Sequence, residues 1–241
     1  MESVMSNDIA VLAATAASLG LIHTIIGPDH YLPFIVMAKA RRWSIIKTAW
    51  ITFLCGLGHI GSSILLGIIG VTLGLAVSKL DGLESSRGII AAWGMIAFGL
   101  VYFIWGMRRA LRNKPHAHPH LHSNRLSHTH EHKHNEEHLH PHEKPSKVSL
   151  TPWILFTIFV FGPCEPLIPI LMYPAAEQSL GGLLLIAGIF GGVTILTMLA
   201  VVLAASYGIN FLPLEKLEKY SHAIAGGTIF LCGASIQFLG L

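Results

Sequence analysis

Six long apolar segments, separated by more polar ones, constrain this chain more than any other feature. A helix needs about 20 consecutive apolar residues to cross ~30 Å of hydrocarbon. The segments that meet this length cover residues 8–26 with a continuation to 38, 45–77, 88–107, 151–173, 181–206 and 222–240. Charged residues make up 12% of the chain, whereas soluble domains usually contain about 25%. The sequence therefore predicts an all-α integral membrane protein with six transmembrane helices and excludes an ordinary soluble enzyme.

The loops differ in their content of basic residues. When the six segments are threaded alternately through a membrane, fourteen of the sixteen Lys and Arg residues fall on one side. The positive-inside rule then predicts a protein of the plasma (inner) membrane with a cytoplasmic central loop and both termini outside. Because the net charge of +3 follows from these loops, it does not indicate nucleic-acid binding. The N-terminus has no basic region, so no cleaved signal peptide is expected.

Two similar Gly-Pro sequences interrupt the first and fourth segments, at residues 27–33 (GPDHYLP) and 162–169 (GPCEPLIP). Each opens a set of three segments, and because three is odd the two halves face opposite ways across the membrane. Proline disrupts a helix interior, so both first helices are expected to be broken. Broken helices at matching positions of inverted halves indicate a transport site near the membrane midplane. The residues that define the breaks are Gly27, Pro28, Pro33, Gly162, Pro163, Pro166 and Pro169.

A polar segment separates the two halves. The predicted organisation is a first three-helix repeat over 1–108, a His-rich loop over 109–148 and a second three-helix repeat over 149–241. The loop has no apolar periodicity, so it is predicted to be disordered. It contains eleven histidines, at His116, His118, His120, His122, His128, His130, His132, His134, His138, His140 and His142.

Neutral imidazoles bind transition metals, so the loop histidines are expected to buffer metal ions on the cytoplasmic side. Deleting residues 112–146 should lower metal capacity and leave some transport. The stretch His130–His134 matches the zinc-protease pattern H-E-x-x-H. In a tract so rich in His and Glu this match is expected by chance, and the chain is not predicted to be an enzyme.

Ionisable residues surround the first break. Such residues are costly within a membrane span and usually face a cavity or a partner. In an unbroken helix His23 and His30 would lie ~10.5 Å apart along the axis, too far to bind one ion. The break allows Asp29 and His30 to fold away from that axis. Two imidazoles with one carboxylate suit Ni, Co, Zn or Cu better than Mg or Ca.

Three further polar residues lie in apolar segments. His59 could complete the ligand set, orient another ligand, or form a hydrogen bond between helices. At the second break, Cys164 could be a ligand, a redox thiol or a packing residue, and the carboxylate of Glu165 beside it favours a cation. The predicted metal-pathway residues are therefore His23, Asp29, His30, His59, Cys164 and Glu165.

The pattern His23-x5-Asp29-His30, followed by Leu57-Gly58-His59, resembles the two signatures of the nickel/cobalt transporter (NiCoT) family, with one more residue in the first spacing. The His-rich loop between three-span halves resembles RcnA-type nickel/cobalt efflux proteins. The whole chain is similar to six-span proteins described as UreH-like or TauE/SafE-like, of the CcdA/DsbD-LysE type. The resemblance implies that His23, Asp29, His30 and His59 are metal-pathway residues.

These observations predict a permease for a divalent transition metal, most simply nickel or cobalt, with zinc and copper as alternatives. No obligatory cofactor is expected. The expected partners are membrane lipid, metal ions, a cytoplasmic metallochaperone and a second copy of the chain.

Two alternative functions stay open. A CcdA-like thiol-disulfide electron transporter would need a cysteine at each break, but Asp29 and His30 stand at the first. An exporter of sulfite or an organosulfonate could use the half-helix N-termini at the breaks, but the carboxylates of Asp29 and Glu165 would repel its anion.

Overall fold

The structure is a computed structural model. It describes residues 2–73, 77–112, 116–121, 127–132, 150–162, 164, 166–176, 180–209 and 215–240.

Each half of the chain contains a broken helix followed by long unbroken ones. The first half consists of α1 (Glu2–Ile26), a 3-10 turn (Pro28–His30), α2 (Leu32–Arg41), α3 (Ile45–Thr72) and α4 (Val77–Arg112). The second half consists of α5 (Thr151–Phe161), α6 (Leu167–Ala176), α7 (Leu180–Ile209), α8 (Glu215–Glu218) and α9 (Ser221–Leu239). The predicted all-α membrane class and the broken first helix of each half are confirmed.

Among the described residues, five helices are long and apolar enough to cross a membrane, and α5 is a shorter apolar helix. With α6 it forms the interrupted fourth segment. The protein is therefore a multi-pass membrane protein. The orientation of its termini and loops stays a prediction.

Two described stretches of the central loop form strands, whereas the disorder predicted for the rest of the loop stays a prediction. Strand β1 (His116–Leu121) pairs antiparallel with β2 (Ser127–His132), and the register places histidine Cα atoms opposite one another at three positions. The histidines recur at every second residue, which matches the two-residue period of a strand. The prediction of disorder missed this because it considered only the periodicity of apolar residues. The other predicted loop histidines, which lie outside the described residues, are His122, His134, His138, His140 and His142.

Helix α4 begins earlier than the sequence suggested. The third span was expected to start at residue 88, with Arg87 in the preceding loop. In the structure the helix begins at Val77, so Glu84 and Arg87 both lie within it. They form an ion pair three residues apart, and this pairing lets the helix carry two charges into its apolar part.

Helices α4 and α9 approach so closely that several positions between them accept only glycine. A Cβ atom on Gly226 would overlap the backbone nitrogen of Phe103, and one on Gly99 would overlap the backbone of Phe230. Small residues allow this kind of close approach between helices in lipid. The last helix is thereby fixed against the third span.

This contact predicts that Gly226→Ala lowers the free energy of unfolding by about 1–3 kcal/mol, the usual cost of overpacking. Gly227→Ala is the matched control, because its Cβ would meet only the Phe103 ring, at 3.5 Å. Thermal unfolding in detergent micelles should separate the two variants. Equal losses of stability in both would contradict the close contact.

In the part of the chain that the structure describes, three buried apolar clusters fill the interior, and each contains one cysteine. Cys164 lies in the first, with Ala16 and Phe190. Cys232 lies in the second and Cys55 in the third. The three thiols are therefore held in different parts of the protein.

Candidate metal centre

Three histidines from separate elements meet at the first break. His23 lies in the last turn of α1, His30 ends the 3-10 turn, and His59 lies in the middle of α3. One ring nitrogen from each lies within 4.8 Å of the other two. The ring centroids of His23 and His30 are 4.7 Å apart, and those of His30 and His59 are 5.2 Å apart. The break has thus removed the separation that an unbroken helix would impose.

The hydrogen bonds of two of these rings define their tautomers. His30 Nδ1 lies 3.2 Å from the carbonyl oxygen of Gly27 and 3.1 Å from Oδ1 of Asp29. His59 Nδ1 lies 3.3 Å from the carbonyl oxygen of Phe159. Because these oxygens can only accept, each Nδ1 donates, and Nε2 of the neutral ring keeps its lone pair.

The Nε2 atoms of His23, His30 and His59 are all buried without a hydrogen-bond partner among the described residues. Buried polar atoms are nearly always paired, so three neighbouring exceptions require an explanation. Each is an imidazole nitrogen, and for His30 and His59 the other nitrogen is already occupied. The lone pairs of His30 and His59 Nε2, together with one ring nitrogen of His23 nearby, could therefore bind a cation.

Glycine makes room for a histidine ring at both breaks. A Cβ atom on Gly27 would lie 2.6 Å from His30 Nδ1. A Cβ atom on Gly162 would lie 2.8 Å from His59 Nδ1. The glycine that follows each broken helix therefore also leaves space for one ring of the histidine cluster.

His59 joins the two halves of the protein. Its ring contacts that of His30 at the first break, and its Nδ1 bonds to Phe159 near the end of α5. The carbonyl oxygen of Phe159 also accepts a hydrogen bond of 3.0 Å from the backbone nitrogen of Gly162. A movement of one break relative to the other would therefore change the position of His59 in the cluster.

The other predicted ligands are placed differently. Asp29 bonds to the His30 ring and its side chain is 22% exposed, so it acts on a member of the cluster. Cys164 is buried in an apolar cluster and is not part of the three-histidine group. Glu165 lies outside the described residues, as does Pro163.

Two charged residues of α4 that contact the second break, Glu84 and Arg87, were missed by the sequence reasoning. Arg87 bonds to Glu84 at 2.7 Å and to the carbonyl oxygen of Val160 at 2.8 Å. The available signal was their spacing, since opposite charges three residues apart can pair on one helix face. Counting Arg87 as a loop residue hid that signal.

The cluster suits a borderline transition metal. Imidazole ligands favour Zn, Cu, Ni and Co over Mg and Ca. Nitrogen ligands about 2.1 Å from a tetrahedral ion lie about 3.4 Å from one another. Since the present ring nitrogens lie within 4.8 Å, side-chain movements of roughly 1 Å would bring them onto one ion.

A family model described as the cytochrome c biogenesis protein transmembrane region (DsbD_2) matches residues 32–235. The match covers both halves and includes His59 and the second break, and it begins just after His30. Comparisons with curated proteins and with solved structures found no match. The family match supports the resemblance to CcdA/DsbD membrane proteins and gives no specific support for the NiCoT or RcnA families. Since it extends over most of the chain, this protein belongs to the DsbD-type family of cytochrome c biogenesis transmembrane proteins.

Proposed function

We propose that this protein carries a divalent transition-metal ion across the membrane and binds it with His23, His30 and His59. The observation that carries the proposal is the group of three buried Nε2 atoms that have no hydrogen-bond partner among the described residues. Their position beside a helix break, in a fold with two breaks, is typical of transport sites. Nickel or cobalt is the proposed cargo, with zinc and copper as the other ions that imidazole suits.

The proposed mechanism depends on the double attachment of His59. Its ring bonds to the end of α5 while its neighbour in the cluster is His30. If the broken helices rock relative to one another, His59 moves with the second break and leaves the other two histidines. The ion would then lose one ligand as the site opens, which favours release.

Thiol-disulfide electron transport is the second candidate, and the family match favours it more directly than a metal permease. That function requires two cysteines that can approach one another. Among the described residues, the three cysteines occupy different apolar clusters, and Asp29 and His30 stand at the first break. We place the metal function first because these residues supply imidazoles where the redox mechanism needs a thiol.

The remaining alternative is an anion exporter. His30 and His59 keep a lone pair on Nε2, which has no hydrogen-bond partner among the described residues, and Asp29 adds a carboxylate at the same break. Both would repel sulfite or an organosulfonate. The geometry therefore favours a cation.

The His-rich loop has a supporting role in this proposal. Its histidines would hold ions near the cytoplasmic mouth and exchange them with a metallochaperone. That the chain is not an enzyme stays a prediction. So does its assembly with a second copy.

Transport in proteoliposomes tests the proposal. The protein lacking residues 113–146 should carry at least one of Ni, Co, Zn, Cu and Mn into vesicles that contain a metal-sensitive dye. His30→Ala in the same background should not. Removing the loop prevents metal binding there from imitating transport. Replacing all three cysteines by alanine should leave the transport in place, because none belongs to the cluster.

The opposite pattern would support the second candidate. If no metal moves, and Cys164→Ala changes the redox state of an extracytoplasmic thiol protein in cells, the metal proposal fails. Thiol-disulfide transport would then replace it.

A further inference from the structure

An ion pair lies inside the third membrane-spanning helix, outside the histidine cluster. Glu84 and Arg87 are joined by a contact of 2.7 Å, and their side chains are 1% and 16% exposed. Ionisable residues within a span are costly and usually have a function. The metal centre uses neither of them.

The pair contacts backbone groups at the end of α5 and within the second break. Arg87 Nη2 donates to the carbonyl oxygen of Val160 at 2.8 Å and to that of Gly162 at 3.4 Å. Glu84 Oε2 accepts from the backbone nitrogen of Cys164, also at 3.4 Å. Carbonyls at the end of a helix have no intrahelical partners. These two side chains therefore satisfy the backbone groups that the break leaves open.

Ser62 connects the ion pair to the histidine cluster. Its Oγ lies 2.6 Å from Arg87 Nη2 and 2.8 Å from the carbonyl oxygens of both Val160 and His59. His59 in turn bonds to Phe159, the residue before Val160. One hydrogen-bond network therefore joins α4, the centre of α3 and the end of α5.

We infer that Glu84 and Arg87 form a latch that holds the second break in the conformation described here and must release when that break moves. They are positioning residues, since they act on the break and, through Ser62 and Phe159, on His59. The role of the latch in transport rests on the proposed function. The stabilisation of the second break by the latch does not depend on the proposed function and can be measured without metal.

Chemical labelling of Cys164 reports on the latch. Cys164 is fully buried, and its backbone nitrogen donates a hydrogen bond to Glu84. A reagent therefore reaches the Cys164 thiol only when the break opens. In protein that carries Cys55→Ala and Cys232→Ala, Cys164 is the single thiol. A water-soluble maleimide added to proteoliposomes then measures the opening of this segment.

Glu84→Gln and Arg87→Met should each speed the labelling of Cys164 by about tenfold or more, because removing one partner of a buried ion pair favours local opening. Arg87→Lys, which keeps the charge but forms fewer hydrogen bonds, should give an intermediate rate. Asp81→Asn is the matched control. It removes an exposed carboxylate from the same helix and should leave the rate unchanged.

Gly226→Ala separates a latch from a general loss of stability, since it loosens the contact between α4 and α9 away from the break. Only protein that elutes as a single folded species in detergent is compared. The inference is overturned if Glu84→Gln and Arg87→Met label at the wild-type rate, or if Gly226→Ala speeds labelling as much as they do. Zinc binding is measured separately on protein lacking residues 113–146, so a failure of the metal proposal is recognised independently of the labelling result.

Discussion

Replacing His30 by alanine should lower the affinity of the protein for zinc or nickel by about a hundredfold or more. His30 is the central member of the cluster, with His23 at 4.7 Å on one side and His59 at 5.2 Å on the other. Metal binding by small zinc sites is worth about 10–16 kcal/mol, or roughly 3 kcal/mol per ligand for four ligands. A loss of that size corresponds to more than a hundredfold in Kd.

Calorimetric titration of protein lacking residues 113–146 is the measurement, because the loop histidines would otherwise dominate the signal. His222→Ala is the matched control. His222 lies at the start of α9, where its Nδ1 is 2.8 Å from the hydroxyl of Tyr102, and it is not in the three-histidine group. Binding that survives His30→Ala unchanged would show that the metal is held elsewhere.

The positions of the helix breaks could be predicted because their cause is local. Proline lacks a backbone donor and its ring clashes with the preceding turn, so α1 ends at Ile26 and α5 at Phe161. The approach of His23 to His30 follows from the first break alone. Both histidines are within eight residues of one another in the chain, and little long-range packing is needed to bring them together.

The position of His59 depends on contacts that no local pattern contains. Its ring is held between His30 and Phe159, one hundred residues further along the chain. From the sequence alone His59 could therefore complete the ligand set, orient another ligand or form a hydrogen bond between helices. The absence of a side chain at Gly162 leaves room for the His59 ring. This space exists only because α3 packs against α5, so the sequence alone does not reveal it.

Charge was the least dependable signal in the sequence. Arg87 appeared to mark a loop because charged residues usually end a membrane span. In the structure its charge is neutralised by Glu84 and its donors are satisfied by the carbonyls of the second break. A break within a membrane-spanning helix leaves backbone carbonyls without partners, and a buried guanidinium can donate hydrogen bonds to them. The second break therefore explains why Arg87 lies within the span and not in a loop.

Asp29→Asn should lower metal affinity by about 10–100-fold, the usual effect of removing an outer-shell partner of a metal ligand, and so by less than His30→Ala. The carboxylate accepts a hydrogen bond from His30 Nδ1 at 3.1 Å. It thereby orients the ring and makes Nε2 more basic. Asparagine can still accept this bond through its side-chain oxygen, so the variant removes mainly the negative charge.

The same titration measures this effect, with Asp81→Asn as the control for loss of an exposed carboxylate. The size of the change distinguishes two roles for Asp29. An outer-shell carboxylate tolerates replacement by asparagine with a moderate loss, because His23, His30 and His59 remain to hold the ion. A loss as large as that of His30→Ala would mean that Asp29 binds the metal directly. Unchanged affinity would mean that hydrogen bonding by Gly27 is enough to orient the His30 ring.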